Sequence, residues 1–171
     1  MQIKTLIRTS GLVGLMALSS ACSQRYAVSI NNQTVYDPRP NATAYRFADP
    51  GLQGCINLAL QQPNAELERI TVLSCSGWEI ENLEGISLLK ALQFLDLSNN
   101  RISSVAPLSS LPRLSSLSLT NNRVRDIETL IAMKSLTSAV LTGNETISCS
   151  QLNTLATELG SNLQRPAACR Q

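Results

Sequence analysis

The chain has 171 residues, of which 43% are hydrophobic, with 14 basic side chains, 12 acidic ones and no histidine. That size and apolar fraction fit one globular domain with appendages and exclude a disordered or collagen-like chain. The missing histidine removes the commonest general base and metal ligand, which excludes hydrolase triads and histidine-based zinc sites, and the near balance of charge gives no electrostatic footprint for nucleic acid.

The chain opens "MQIKTLIRTSGLVGLMALSSAC". Lys4 and Arg8 precede an apolar run ending at Leu18, followed by small residues, which is the order of a secretory signal. A spanning helix needs about 20 apolar residues, and this run is shorter. The segment "LSSAC" resembles the bacterial lipobox, although Ser19 stands where Leu is usual, with Leu18 one position further out. The resemblance implies that residues 1–21 are a lipoprotein signal peptide and that Cys22 is acylated as the mature N-terminus. The acyl chains would then hold the protein on a membrane. Ser23, rather than Asp, implies delivery to the outer membrane of a Gram-negative cell, facing the periplasm or the cell surface. Removing Lys4 and Arg8 leaves 12 basic against 12 acidic residues.

Residues 22–48 read as a lipidated tether. "YAVSI-NN-QTVY" can form a hairpin, because Asn31 and Asn32 tolerate the left-handed conformation that such a turn demands. N-x-T triplets at Asn32, Asn41 and Asn144 match the glycosylation acceptor but carry no weight beside a bacterial lipobox. Residues 49–171 form the main domain. Its first element is a helix with Asp49 as cap, Pro50 in the first turn and Leu52, Cys55, Ile56 and Ala59 at helical spacing.

From Ile70 onward, apolar positions recur with a period of 22 residues, clearest in "LQFLDLSNNRISSVAPLSSLPR" followed by "LSSLSLTNNRVRDIETLIAMKS". The pattern L-x-x-L-x-L-x-x-N-x-I resembles the leucine-rich repeat in its short, internalin-like bacterial form, over residues 70 to 147. An apolar face that one turn cannot bury is covered when turns stack, which is the physical reason for a strict period. Leu95-x-Leu97 has the alternation of a half-buried strand. The expected architecture is therefore an α/β solenoid of about four 22-residue rungs, with a parallel concave sheet and capping helices at both ends. The resemblance implies that Asn100, Asn122 and Asn144 form a buried structural ladder, which Trp78 interrupts in the first rung. The C-terminal helix is expected in "SCSQLNTLATELG", with Ser148 and Gln151 as a capping box and Gly160 as the stop.

Besides Cys22 there are four cysteines, which permit three pairings. Cys75 takes an inward offset in the rung beside the helix carrying Cys55, while Cys149 and Cys169 bracket the opposite lid. Several rungs exceed the roughly 7 Å Cα span of a bridge, so Cys55 is expected to join Cys75, and Cys149 to join Cys169. Both bonds imply an oxidising compartment. Without C-x-x-C or histidine, no redox or metal centre is expected.

On the concave face the outward positions include Val72, Ser74, Phe94, Asp96, Ser116, Ser118, Ser138 and Val140, all candidates for protein contact, with Phe94 the best anchor. The face is small and mostly hydroxylated compared with a standard interface of about 20 to 30 residues a side. Glu79, Arg101, Arg123 and Glu145 occupy one offset down the stack and read as an exposed charge ladder. No nucleophile elbow, phosphate loop or paired acid site is present, so neither an enzyme nor a cofactor is expected. The expected function is that of a monomeric, lipid-anchored module of the bacterial envelope that binds a protein partner. The alternative is a structural or peptidoglycan-contacting envelope lipoprotein.

Overall fold

The computed structural model describes residues 28–30, 33–36, 45–62 and 65–169. The signal segment, Cys22 and the turn residues Asn31 and Asn32 lie outside the described residues. The chain divides into two compact units, residues 1–38 and 39–171. In the first, β1 (Val28–Ile30) and β2 (Gln33–Tyr36) pair antiparallel, with Ile30 opposite Gln33 and Ser29 opposite Thr34.

The second unit begins its regular structure with α1 (Pro50–Ala59) and continues with β3 (Val72–Ser74), β4 (Phe94–Asp96) and β5 (Ser116–Ser118). It then runs through α2 (Glu128–Ala132), β6 (Ser138–Val140), α3 (Cys149–Leu159) and β7 (Leu163–Gln164). The five strands form one parallel sheet in chain order. Register follows the sequence period: Leu73 lies opposite Leu95, Leu95 opposite Leu117, and Leu117 opposite Ala139. The fifth strand departs from the expected four, because Leu163 pairs with Ala139 only after the chain has passed through α3.

Each of β3 to β6 turns its middle residue inward, and Leu95, Leu97, Leu114, Leu117 and Leu119 are at most 1% exposed. The return segments contribute Leu83, Ile86 and Leu89, then Val105, Leu108 and Leu111, then Ile127 and Leu130, all buried. These returns are 3-10 turns at Ile86–Leu88 and Ala106–Ser110, and a short helix at α2. Phe47, though it precedes the domain boundary read from sequence, is 7% exposed and belongs to this core.

Turns of this kind leave backbone groups inside the coil, and three asparagines satisfy them. Asn122 Oδ1 accepts from the Ile102 amide at 3.0 Å, and its Nδ2 donates to the Leu97 and Leu119 carbonyls at 2.8 and 3.0 Å. Asn100 and Asn144 repeat the arrangement with Ile80 and Val124 as amide donors. The residue before each has positive φ, Asn99 (56°), Asn121 (54°) and Gly143 (77°), and so does Gly77 (74°) before Trp78. Glycine and asparagine are the residues that tolerate that conformation.

In the first rung, where Trp78 stands at the asparagine position, the start of α1 makes a different contact with the turn. Asp49 Oδ1 caps the helix by accepting from the Leu52 amide at 2.9 Å, as expected. Its Oδ2 accepts from the Glu81 and Asn82 amides at 2.9 and 3.0 Å, so one buried carboxylate joins the helix end to the first rung. Packing there is close. A Cβ on Gly51 would lie 2.1 Å from the Trp78 carbonyl oxygen, and one on Gly54 would lie 2.7 Å from the indole ring.

Cys55 is bonded to Cys75, with Cα atoms 5.6 Å apart, and Cys149 to Cys169 at 5.5 Å. At the C-terminal end the expected capping box is not made. Ser148 contributes no side-chain cap, and Gln151 instead donates to Asp126 Oδ1 at 2.7 Å. The Asp126 carboxylate, on the adjacent return, is a charged acceptor for the Gln151 amide nitrogen, and holding it turns the side chain away, so its Oε1 does not accept from the Ser148 amide as a capping box requires. Gly160, with φ of 56°, ends α3.

Candidate interaction surface

The concave sheet brings the eight candidate residues together in two strips. Val72, Phe94, Ser116 and Ser138 are aligned across β3 to β6, as are Ser74, Asp96, Ser118 and Val140. The first strip changes character along its length. Val72 and Phe94 are 64% and 40% exposed and directly paired, whereas Ser116 and Ser138 are half-buried.

The second strip is largely occupied with itself. Asp96 accepts from Ser74 Oγ at 3.1 Å, from Ser98 Oγ at 2.5 Å and from the Ser98 amide at 2.9 Å. Partial burial pushes the Asp96 carboxyl pKa up, but these three donors outweigh it and hold the value below the usual carboxylate range. The hydroxyl contacts continue from Ser98 to Ser118 at 2.8 Å, then to Thr120 and Thr142 at 3.3 Å each. A parallel amide column, which sequence reading did not single out, runs from Asn121 to Asn99 at 2.9 Å and from Asn99 to Ser76 at 3.3 Å. Its signal was the Gly or Asn that precedes each ladder position. Donors already engaged with neighbours are less available to a partner, which leaves Val72 and Phe94 as the least satisfied part of the face.

A groove of about 350 Å³ borders Val72, with Ala59, Ala65 and Ile70 on its walls and Glu66 and Arg69 paired at 2.9 Å on its rim. Another of about 550 Å³ lies between the returns, against Leu111, Pro112, Ala132 and Met133. The expected charge ladder is only partly realised. Arg101 reaches Glu79 at 3.1 Å and Glu81 at 3.7 Å, with all three side chains exposed. Glu145 turns instead to the Ala167 and Ala168 amides, because the C-terminal segment brings those donors beside it. Arg123 and Arg125 form no ion pair among the described residues.

Residues 90–132 match the family model for leucine rich repeats in two copies. No curated protein matches the chain in sequence. Among solved structures, the chain is similar to internalin C2 of Listeria monocytogenes, with 28% identity and a TM-score of 0.58 over 70% of this chain and 54% of that one. It is also similar to an internalin, inlF, of the same organism, with 30% identity and a TM-score of 0.60 over 71% of this chain and 37% of that one. The chain thus spans about half, or less, of the internalins it matches. The 22-residue register, the five-stranded parallel sheet and these likenesses agree: the chain carries leucine-rich repeats and has the leucine-rich repeat fold.

Proposed function

We propose that this chain is a protein-interaction module of a bacterial envelope, held at a membrane by acyl chains on Cys22 and closed at its two ends by α1 and α3. Its contact surface is the N-terminal part of the concave sheet. The observation that carries this reading is the Val72–Phe94 pair, 64% and 40% exposed on adjacent strands of a face whose remaining polar groups largely bond to one another. Exposed aromatic and aliphatic side chains on a rigid sheet lose little conformational entropy on binding and supply most of the energy of a small interface. The acidic and hydroxyl groups beside them set orientation rather than affinity.

Outer-membrane placement rests on the lipobox resemblance and Ser23. Acyl chains contribute about 0.8 kcal/mol per buried methylene, so two or more give durable attachment. Replacing Cys22 with Ser is expected to release the protein from the membrane fraction or to block its maturation. Retention of a cleaved Cys22→Ser protein would refute the anchor.

A photo-crosslinking residue at position 94, in cells carrying the full chain, tests the surface. The expected product is a protein adduct that Val72→Asp abolishes while the same residue at position 138 gives none. Glycan adducts, or equal capture at both positions, would overturn the assignment.

A further inference from the structure

The two disulfides sit in opposite environments. Cys55 and Cys75 are 2% and 0% exposed, sealed beneath α1. Cys149 is exposed, and Cys169 is 6% exposed beside it. Cys149 is also the first residue of α3, an 11-residue helix whose Ser148 gives no side-chain cap because its hydroxyl contacts Ser150 Oγ at 2.5 Å. The amides of that first turn therefore keep their capacity for a negative charge.

From these facts we infer that Cys149–Cys169 is an exchangeable modification site, attacked at Cys149 by a thiol of a dithiol reductant, while Cys55–Cys75 is a permanent structural bond. The incoming thiolate is drawn to the helix N-terminus and forms a bond to Cys149 Sγ. The Cys149–Cys169 bond breaks, and its electron pair leaves on Cys169 Sγ, which takes a proton. The second thiol of the reductant then attacks its partner sulfur in the mixed disulfide. Cys149 departs as a thiolate, which the same helix end stabilises. Two electrons pass to the chain, and the dithiol becomes a disulfide. The chain has no C-x-x-C, so it is the substrate of this exchange and not its catalyst.

The consequence is local. Beyond the two residues of β7, the contacts that hold the C-terminal segment include Arg165 Nη1 donating to Asn153 Oδ1 at 2.8 Å, the Ala167 and Ala168 amides donating to Glu145, and the Cys169 bond. Breaking that bond loosens the end of the coil and leaves α1 in place.

The test uses the native, oxidised full chain in graded dithiothreitol, quenched with iodoacetamide and mapped by peptide mass spectrometry. Cys149 and Cys169 should be alkylated at least about tenfold faster than Cys55 and Cys75, in keeping with the control of exchange by access and charge. Amide exchange should rise at residues 163–169 in the same interval while α1 stays protected. Equal rates for the two pairs, or earlier loss of Cys55–Cys75, would overturn the proposal. Glutathione, a monothiol, traps the first step. The expected adduct is on Cys149, and an adduct found on Cys169 would refute the direction of attack.

Discussion

Replacing Asn122 with Ala isolates what the buried amide contributes. Its three carbonyl partners do not become orphans, because Leu97 O keeps Asn100 Nδ2 at 2.8 Å, Leu119 O keeps Asn144 Nδ2 at 2.8 Å, and Thr120 O, the weakest partner at 3.3 Å, keeps the Asn99 amide at 2.8 Å. The Ile102 amide, in contrast, loses its acceptor inside a residue that is 0% exposed. An unsatisfied buried donor costs about 1–3 kcal/mol and each lost bond about 0.5–1.5, which places the substitution at about 3–5 kcal/mol. That is a large share of the roughly 5–15 kcal/mol that a domain of this size holds. Asn100→Ala should cost about 1 kcal/mol more than Asn122→Ala, because its second carbonyl, Cys75 O, has no other amide side chain in the ladder. Urea unfolding followed by far-UV circular dichroism measures both, and Trp78, the chain's single tryptophan, reports the first rung by fluorescence. A cost below about 1 kcal/mol for Asn122→Ala, or the reverse order of the two variants, would refute this account of the ladder.

Gly143→Ala should destabilise by about 2–4 kcal/mol in the same assay, since the new Cβ would meet Asn121 Oδ1 at 2.2 Å and Asn121 N at 2.9 Å at a φ of 77°. Gly77→Ala has a similar φ but open space around it, so about 1–2 kcal/mol of backbone strain is expected, and equal costs would count against the steric argument. Burial alone would raise the Asp49 pKa, but the amides of Glu81, Leu52, Asn82 and Gly51 outweigh it and depress the folded value. Its contribution is therefore present above the unfolded carboxylate pKa of about 3.9 and is lost as pH falls through the lower folded value. Asp49→Asn should thus be about 2–4 kcal/mol less stable than the parent near pH 7, with the gap narrowing below about pH 4 in parallel urea titrations. A gap that stays constant with pH would show that the charge on Asp49 is not what holds the helix to the rung.

The strands and most core positions were legible because one offset repeated: Leu73, Leu95, Leu117 and Ala139 are spaced by 22 residues, and the structure pairs them. What broke the period was hidden. β7 follows the inserted α3, so Leu163 meets Ala139 at a separation of 24 and shares too few offsets to announce itself. Gln151 has the spacing of a capping box, but its side chain turns to another return, and no local pattern encodes Asp126 as its partner. Glu145 was diverted in the same way, by amides 22 and 23 residues further on. Asp49 was legible as a cap because capping is local, whereas its second oxygen serves residues more than 30 positions away. On the candidate surface the exposure of Phe94 could be expected from alternation alone. The self-satisfaction of the hydroxyl strip could not, since it depends on rotamers set across neighbouring strands.

The asparagine ladder also has a direction. Each amide reaches back to the preceding turn: Asn100 to Cys75 and Ile80, Asn122 to Leu97 and Ile102, Asn144 to Leu119 and Val124. A rung therefore cannot be completed from its own residues and waits for about one further period of chain. As the polypeptide emerges N-terminus first, closure must lag behind extrusion by that length. A chain cut short just before Asn122 loses the missing rung and also leaves open the one that Asn122 would have closed.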